Sequence, residues 1–198
     1  MLILNVAAGN QPVLELEKIV GNKQYTVINV DKGYMSGNTP NEIERLILNQ
    51  DNIPSELFCQ YDVWKFLERT FLKFDYIAVY RFLEHVSYLK VSYFIYLLYR
   101  VSNPGAIVDV VVPNYEKLAK MILEEDVNSV DFERHNILLT TELLNEPYSP
   151  HASIWRKARL VKFFTLERYF NILGRIKDFC MDQRNIYIRA LFESLKEQ

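Results

Sequence analysis

Apolar residues recur along this chain in two rhythms. Short runs with little polar alternation fall at Leu2 to Ala7, Tyr25 to Val30, Phe58 to Tyr61, Tyr76 to Tyr80 and Ala106 to Val112. Such runs predict strands buried on both faces. Between them the apolar positions follow helical spacing. Val13, Leu14, Leu16, Ile19 and Val20 predict a helix opened by Pro12 and closed by Gly21-Asn22. Ile43, Leu46 and Ile47 predict one over Asn41 to Asn49, Asp62 caps one over Val63 to Leu72, and two more run over Tyr88 to Val101 and Tyr115 to Glu125. Strand and helix alternate with short connections, the order of a doubly wound, mostly parallel α/β sheet with right-handed crossovers.

The last third breaks this rhythm. Ile137 to Leu144 is predicted helical, and Glu146 to Pro150 ends that helix. Thr165 reads as the N-cap of a helix reaching Leu173. Arg175 to Met181 and Ile186 to Phe192 then read as two strands around an Asp182-Gln183-Arg184-Asn185 turn, a closing antiparallel hairpin. The expectation is one domain over 1–198, with a cofactor-binding half at 1–125 and a substrate-side insertion and hairpin at 126–198.

Composition narrows the class of protein. Of the 198 residues 49% are hydrophobic and 24% charged, which suits a globular protein with a sizeable core. Lys plus Arg total 23 against 25 Asp plus Glu, a net charge of −2. Nucleic acid is therefore not favoured as a partner, because phosphate binding calls for a basic excess. The longest apolar stretch, Val91 to Tyr99, is about half the ~20 residues a membrane span needs. No signal peptide is legible at Met1. Cys59 and Cys180 form no CxxC pair or metal-ligand cluster and read as free thiols of a reducing, cytoplasmic compartment.

Ligands on an open parallel sheet bind outside the carboxyl ends of the strands, and unusual residues stand at four of those ends. Ala7-Ala8-Gly9-Asn10-Gln11 follows the first strand, and tiny residues let a backbone approach a ligand closely. Asp31 ends the second strand 22 positions after Gly9, the spacing of a carboxylate that accepts ribose hydroxyls. Asp62 follows the third, as an adenine contact, a helix cap or both. Tyr80-Arg81-Phe82-Leu83-Glu84-His85-Val86 follows the fourth, and His85 has the chemistry of a base near neutral pH.

In this order and spacing the segments resemble the class I S-adenosylmethionine (SAM)-dependent methyltransferases of the small methyltransferase-11 kind. Leu4-Asn5-Val6-Ala7-Ala8-Gly9 is similar to that family's first motif, Asn29-Val30-Asp31 to its ribose clamp and Tyr61-Asp62-Val63 to its adenine-side motif. Phe74-Asp75-Tyr76-Ile77 with Leu83-Glu84-His85-Val86 resembles its fourth-strand motif. Val101 to Ala106 and Val112-Pro113-Asn114-Tyr115 are similar to the segments around the fifth strand.

The resemblance implies a Rossmann-like methyltransferase fold with SAM as cofactor and S-adenosylhomocysteine (SAH) as product. It implies cofactor contacts from Asn5, Ala7, Ala8, Gly9, Asn10, Gln11, Asp31, Asp62, Val63, Tyr80 and Arg81, with the first helix directing its N–H groups at the methionine carboxylate. It implies His85 near the methyl group as a candidate base; His151, after the Pro147-Tyr148-Ser149-Pro150 loop and before Trp155, is the other candidate and reads as the lining of a substrate lid. A small-molecule or sugar acceptor is expected. Ala7 stands where the family has glycine, which is expected to be tolerable only with a negative φ.

The alternative is a pseudo-methyltransferase, with or without SAM, serving as a binding or structural partner. Tyr88, Tyr93, Tyr96 and Tyr99 crowd one helix, either to pack on the sheet or to form a homodimer surface. A nicotinamide oxidoreductase needs a Gly-x-Gly-x-x-Gly turn, and only Gly9 is present. The Asn-Pro-Pro-Tyr and Pro-Cys motifs of DNA base methylation are also missing from the sequence.

Overall fold

A computed structural model describes residues 1–9, 12–49, 53–116, 119–120, 153–165, 172–181 and 185–194. Its sheet runs in the order β3-β2-β1-β4-β5-β7-β6. The strands are β1 (Leu2–Val6), β2 (Thr26–Val30), β3 (Glu56–Cys59), β4 (Phe74–Tyr80), β5 (Ser102–Pro113), β6 (Ile172–Met181) and β7 (Asn185–Ser194). The first five pair in parallel, and β7 joins β5 and β6 antiparallel. This is the doubly wound sheet with a closing hairpin that the sequence predicts.

The helices bounded within the described residues are α1 (Leu16–Val20), α2 (Pro40–Asn49), α3 (Val63–Arg69), α4 (Tyr88–Arg100) and α5 (Lys157–Thr165). The central strands are apolar on both faces because each face carries its own core. Leu4, Val6, Ile28, Val30, Ile77, Val79, Val108 and Val110 face a large core shared with Ile43, Phe66, Phe94, Leu160 and Phe164 of α2 to α5. Ile3, Val27, Tyr76, Ala78, Tyr80 and Val111 face a smaller one with Val13 and Val20. The chain moves from β1 outward to β2 and β3, then returns past β1 to β4. The reversal between β1 and β4 is the switch point where such sheets take ligands.

Several boundaries differ from the expected ones. Pro12 does not open α1, which begins at Leu16 after Glu15 turns the chain with φ 51. Val13 is buried and Leu14 is held by a backbone hydrogen bond to the Tyr80 hydroxyl, so the stretch after the first turn stays non-helical. β3 sits two residues earlier than expected, because Glu56 pairs with Val27 and its carboxylate accepts the Asn29 amide at 2.8 Å. α3 stops at Arg69 rather than Leu72. Thr70 turns out to extended backbone, donating its hydroxyl to Glu44 and accepting the N–H of Leu72. α2 begins with a reciprocal Thr39–Glu42 cap followed by Pro40.

The largest correction lies at the C-terminal side. Thr165 is the last residue of α5, not the N-cap of a helix reaching Leu173, and Ile172-Leu173 already belong to β6. Leu160 and Phe164, one helical turn apart, are buried in the large core, and that contact sets the helix. The Asn103-Pro104-Gly105 turn is absorbed into β5 as an irregularity, with Ser102 facing Phe74 and Ile107 facing Tyr76. Asn185 starts β7. Residues 115–116 and 119–120 are helical, as expected; the helix predicted at Ile137 to Leu144 lies outside the described residues.

The tyrosines of α4 are mostly packing residues. Tyr88, Tyr96 and Tyr99 lie against the large core, and the partly exposed Tyr93 stacks on Trp64 and Tyr96. A network missed in the sequence joins the hairpin to the sheet. Arg189 of β7 holds Asp109 of β5 through two bonds, at 2.8 and 2.6 Å, and the Tyr76 hydroxyl donates to the same carboxylate. Cys59 is buried and free, and burial pushes its thiol up to about 12.

Candidate functional site

The carboxyl ends of β1 and β2 are tied by one side chain. Past Val6 the chain turns through Ala7 (φ 50), Ala8 and Gly9 (φ 49). The N–H of Ala8 donates to the carbonyl of Val30 at 3.3 Å. The N–H of Gly9 donates to Asp31 Oδ2 at 2.9 Å, and that of Gly33 donates to Oδ1 at 2.7 Å. A Cβ on Gly33 would stand 3.1 Å from that oxygen, a tight contact that the Asp31 side chain would have to relieve by a few tenths of an ångström. Two residues back along the strands, the buried Asn5 amide donates to Asn29 at 2.9 Å, and Asn29 donates on to Glu56. This amide ladder fixes β1, β2 and β3 in register below the turn.

Ala7 does not keep the negative φ expected of it. An L-residue in the left-handed region costs roughly 1–2 kcal/mol, and the adjoining turn and the bonds from Ala8 and Gly9 to β2 hold it there. Ala7→Gly removes that strain but gives the unfolded chain more freedom, worth ~0.4–1 kcal/mol against it. The expected result is a net gain of about 0.5 kcal/mol, read as a higher urea midpoint at unchanged m-value. A lower midpoint overturns this account of the turn.

At the end of β3, Asp62 caps α3, its Oδ1 accepting the N–H of Lys65 at 3.1 Å. Val63 is buried in the large core. The Tyr61 hydroxyl accepts a bond from Arg69 at 3.1 Å.

The end of β4 is built differently. Arg81 has φ 56, and its N–H donates to Val111 at 2.9 Å, which binds the turn to β5. Leu83–His85 then form one turn of 3-10 helix closed by the His85 N–H on Phe82. Glu84 lies inside this turn at 1% exposure, and its Oε2 has no hydrogen-bond partner among the described residues. Burial raises its carboxyl to about 7, against the pull of its own backbone N–H and of Arg81. From the end of β5 come Asn114 and Tyr115, both buried. Burial raises the Tyr115 hydroxyl, and the nearby charge of Glu84 adds to the rise.

A later segment is fastened onto this turn. Ser153 donates its N–H to the Glu84 carbonyl at 3.0 Å and its hydroxyl to the Leu83 carbonyl at 3.1 Å. The fully buried Trp155 ring donates to Ser153 Oγ at 2.8 Å and to the Leu83 carbonyl at 3.2 Å. The Tyr88 hydroxyl bonds both the N–H and the carbonyl of Ile154, and Arg159 lies 4.5 Å over the Tyr88 ring. The Trp155 ring packs edge-on against Tyr88 and Phe163.

The expected site residues thus divide. Ala7, Ala8, Gly9, Asp31, Asp62, Val63, Tyr80, Arg81 and His85 all stand at the carboxyl edge of β1 to β4, with Asn5 just inside it. The Tyr80 ring is turned into the smaller core, its hydroxyl 3.4 Å from that of Tyr76 and held up at about 12 by burial. The N-terminus of α1 is seven residues past Gly9 and has no side-chain cap, so the expected helix N–H groups do not follow the turn directly. Asn10, Gln11 and His151 lie outside the described residues. Sequence reasoning missed the burial of Glu84 and the fastening of Ser153 and Trp155. No group of His, Cys, Asp and Glu suited to a metal ion occurs among the described residues. None of their helices is long and apolar enough to cross a membrane.

No family model matches the sequence, and no curated protein matches it. Solved structures do resemble the fold. Mycolic acid cyclopropane synthase CmaA1, complexed with SAH and CTAB, is 13% identical with a TM-score of 0.50, over 91% of this chain and 56% of that one. This chain therefore spans little more than half of CmaA1. Cyclopropane synthase MmaA2 from Mycobacterium tuberculosis is 8% identical with a TM-score of 0.57, over 98% of this chain and 78% of that one. A SAM-dependent methyltransferase from Methanosarcina mazei is 15% identical with a TM-score of 0.52, over 98% of this chain and 93% of that one. At these identities the likeness is one of fold, and it agrees with the strand order, the switch point and the closing hairpin: the chain has the class I SAM-dependent methyltransferase fold.

Proposed function

We propose that this protein transfers a methyl group from SAM to a small-molecule or sugar acceptor. The observation that supports this best is Asp31. It stands at the end of β2 beside the Ala7-Ala8-Gly9 turn, at the switch point of a methyltransferase-type sheet. The residues fit the adenosine half of SAM. Each Asp31 oxygen holds one backbone N–H, and a carboxylate has about four lone-pair sites, so two remain for ribose hydroxyls. Asp62 spends Oδ1 on its cap and offers Oδ2 to an adenine amino group. Bound here, SAM supplies an already electrophilic methyl group, so the protein's main task is alignment, worth up to ~7–11 kcal/mol in ideal cases.

Asp31→Ala tests this reading. Removing hydrogen bonds to a charged group costs about 1.5–3 kcal/mol each. The expected result by titration calorimetry is micromolar SAH binding in the wild type and a loss of roughly 100-fold or more in the variant. Wild-type protein that binds neither SAM nor SAH sinks the proposal. The second reading, a binding protein without transfer, draws on the same carboxylate, whose two oxygens already brace Gly9 and Gly33. Its form without SAM predicts no SAH binding at all, and its form with SAM predicts the same loss in Asp31→Ala but no methyl transfer to any acceptor.

A further inference from the structure

A buried carboxyl oxygen without a partner is costly, and native structures seldom leave one without a purpose. Glu84 has such an oxygen, Oε2. The residue is not a stray from the core. Its backbone is pinned in place, its carbonyl taken by Ser153 and its turn bound to β5 through Arg81. It stands at the carboxyl end of β4, next to the switch-point strand β1. The groups that bear on it are Arg81 on its own turn, Tyr115 beyond β5 and, through Tyr115, Tyr88 at the start of α4. Arg81 is the one cation among these groups, and none of the described residues donates a hydrogen bond to Oε2. The unmet hydrogen-bond capacity is therefore left for a ligand that brings its own N–H or O–H.

We propose that Glu84 is the base of the transfer reaction, and that the acceptor is a nucleophile that must lose a proton, a hydroxyl or an amine. The inference rests on the methyltransferase reading above. In the step, the acceptor's oxygen or nitrogen lone pair forms the new bond to the methyl carbon. The carbon–sulfur bond breaks with its electron pair passing to sulfur, which becomes a neutral thioether. The acceptor's O–H or N–H proton passes to the Glu84 carboxylate, which becomes a neutral carboxyl and later returns the proton to water. A base works best when its pKa lies near the working pH, and burial brings Glu84 there.

The test uses full-length protein saturated with SAH and a Glu84→Gln variant, which keeps the side chain's shape. Carbon-13 NMR of labelled glutamate carboxyls should show one resonance titrating near pH 7 in the wild type and missing from the variant. Tritiated SAM is then offered with phenol, catechol, glucose and benzylamine across pH 5.5–8.5. The wild type should label at least one, with a rate that rises with pH through an apparent pKa near 7. Glu84→Gln should lose about 100-fold and the pH dependence, while SAH affinity stays within threefold. A Glu84 resonance titrating near 4.5, transfer undiminished in the variant, or no transfer to any of the four overturns the inference. If the wild type binds neither SAM nor SAH, it is the methyltransferase reading that fails.

Discussion

Replacing Trp155 by alanine is expected to cost this protein about 4 kcal/mol of stability, the range for large aromatic deletions from a core. Trp155 is the largest fully buried side chain. Its ring fills the space between Tyr88, Phe163 and the 3-10 turn, and its N–H reaches Ser153 and Leu83. Alanine leaves a cavity, and it also leaves the Leu83 carbonyl and Ser153 short of a donor. For a chain of this length the loss corresponds to a fall in melting temperature of roughly 8–16 °C. Trp155→Phe keeps most of the ring and loses the N–H, so about 1–2 kcal/mol is expected. The order of the two variants carries the argument. If Trp155→Ala unfolds within 1 kcal/mol of the wild type, the ring is not what fastens this segment. Hydrogen exchange of the Ser153 amide, bonded to Glu84, should speed up in the alanine variant.

Trp155 also shows where a sequence stops being legible. The strands of the first half could be read because each face of the sheet has its own core, and residues buried on both faces become unbroken apolar runs: Thr26–Val30 is buried at every position. Asp31 could be read because the carboxylate and the turn it braces are only 22 residues apart. The fastening of Ser153 and Trp155 to Leu83 and Glu84 spans about 70 residues, and nothing local announces it. The same holds for Asp109. A charge between Val108 and Val110 signals that a partner exists, yet Arg189 is 80 residues away. Thr165 misled in the opposite direction. Its preference for helix caps is real, but Leu160 and Phe164 were already committed to the core from the preceding turns, so the helix ends where it was expected to begin.

Ala7 is the instructive case at the site. A backbone that must bend leftwards is announced by glycine, and Gly9 announces it correctly. At Ala7 the sequence carries no such sign, and the left-handed φ is imposed by the hydrogen bonds of its neighbours to β2. The missing glycine therefore changes the strain in the turn and not its path.

Glu84 gives the second large effect, and it needs no ligand to be seen. Burial lifts its carboxyl from the ordinary 4.5 to about 7 in the folded protein, so the neutral form is the one the fold prefers. The contribution is complete below about pH 4.5, the unfolded value, and is lost as pH rises through the folded value. A shift of this size amounts to about 3 kcal/mol, and burial of the group leaves little solvent to screen it. Wild-type stability should thus fall by about that amount between pH 4.5 and 8, relative to Glu84→Gln, whose amide does not titrate. Urea denaturation of both proteins at half-unit pH steps measures the difference directly. Parallel curves would mean that the carboxyl is ionised at no cost in the fold, and that Oε2 has found a partner in solution. A gap opening between pH 5 and 7 shows that the fold maintains a neutral acid beside the strand ends where Asp31 and Arg81 stand, spending stability on a group that packing alone does not require.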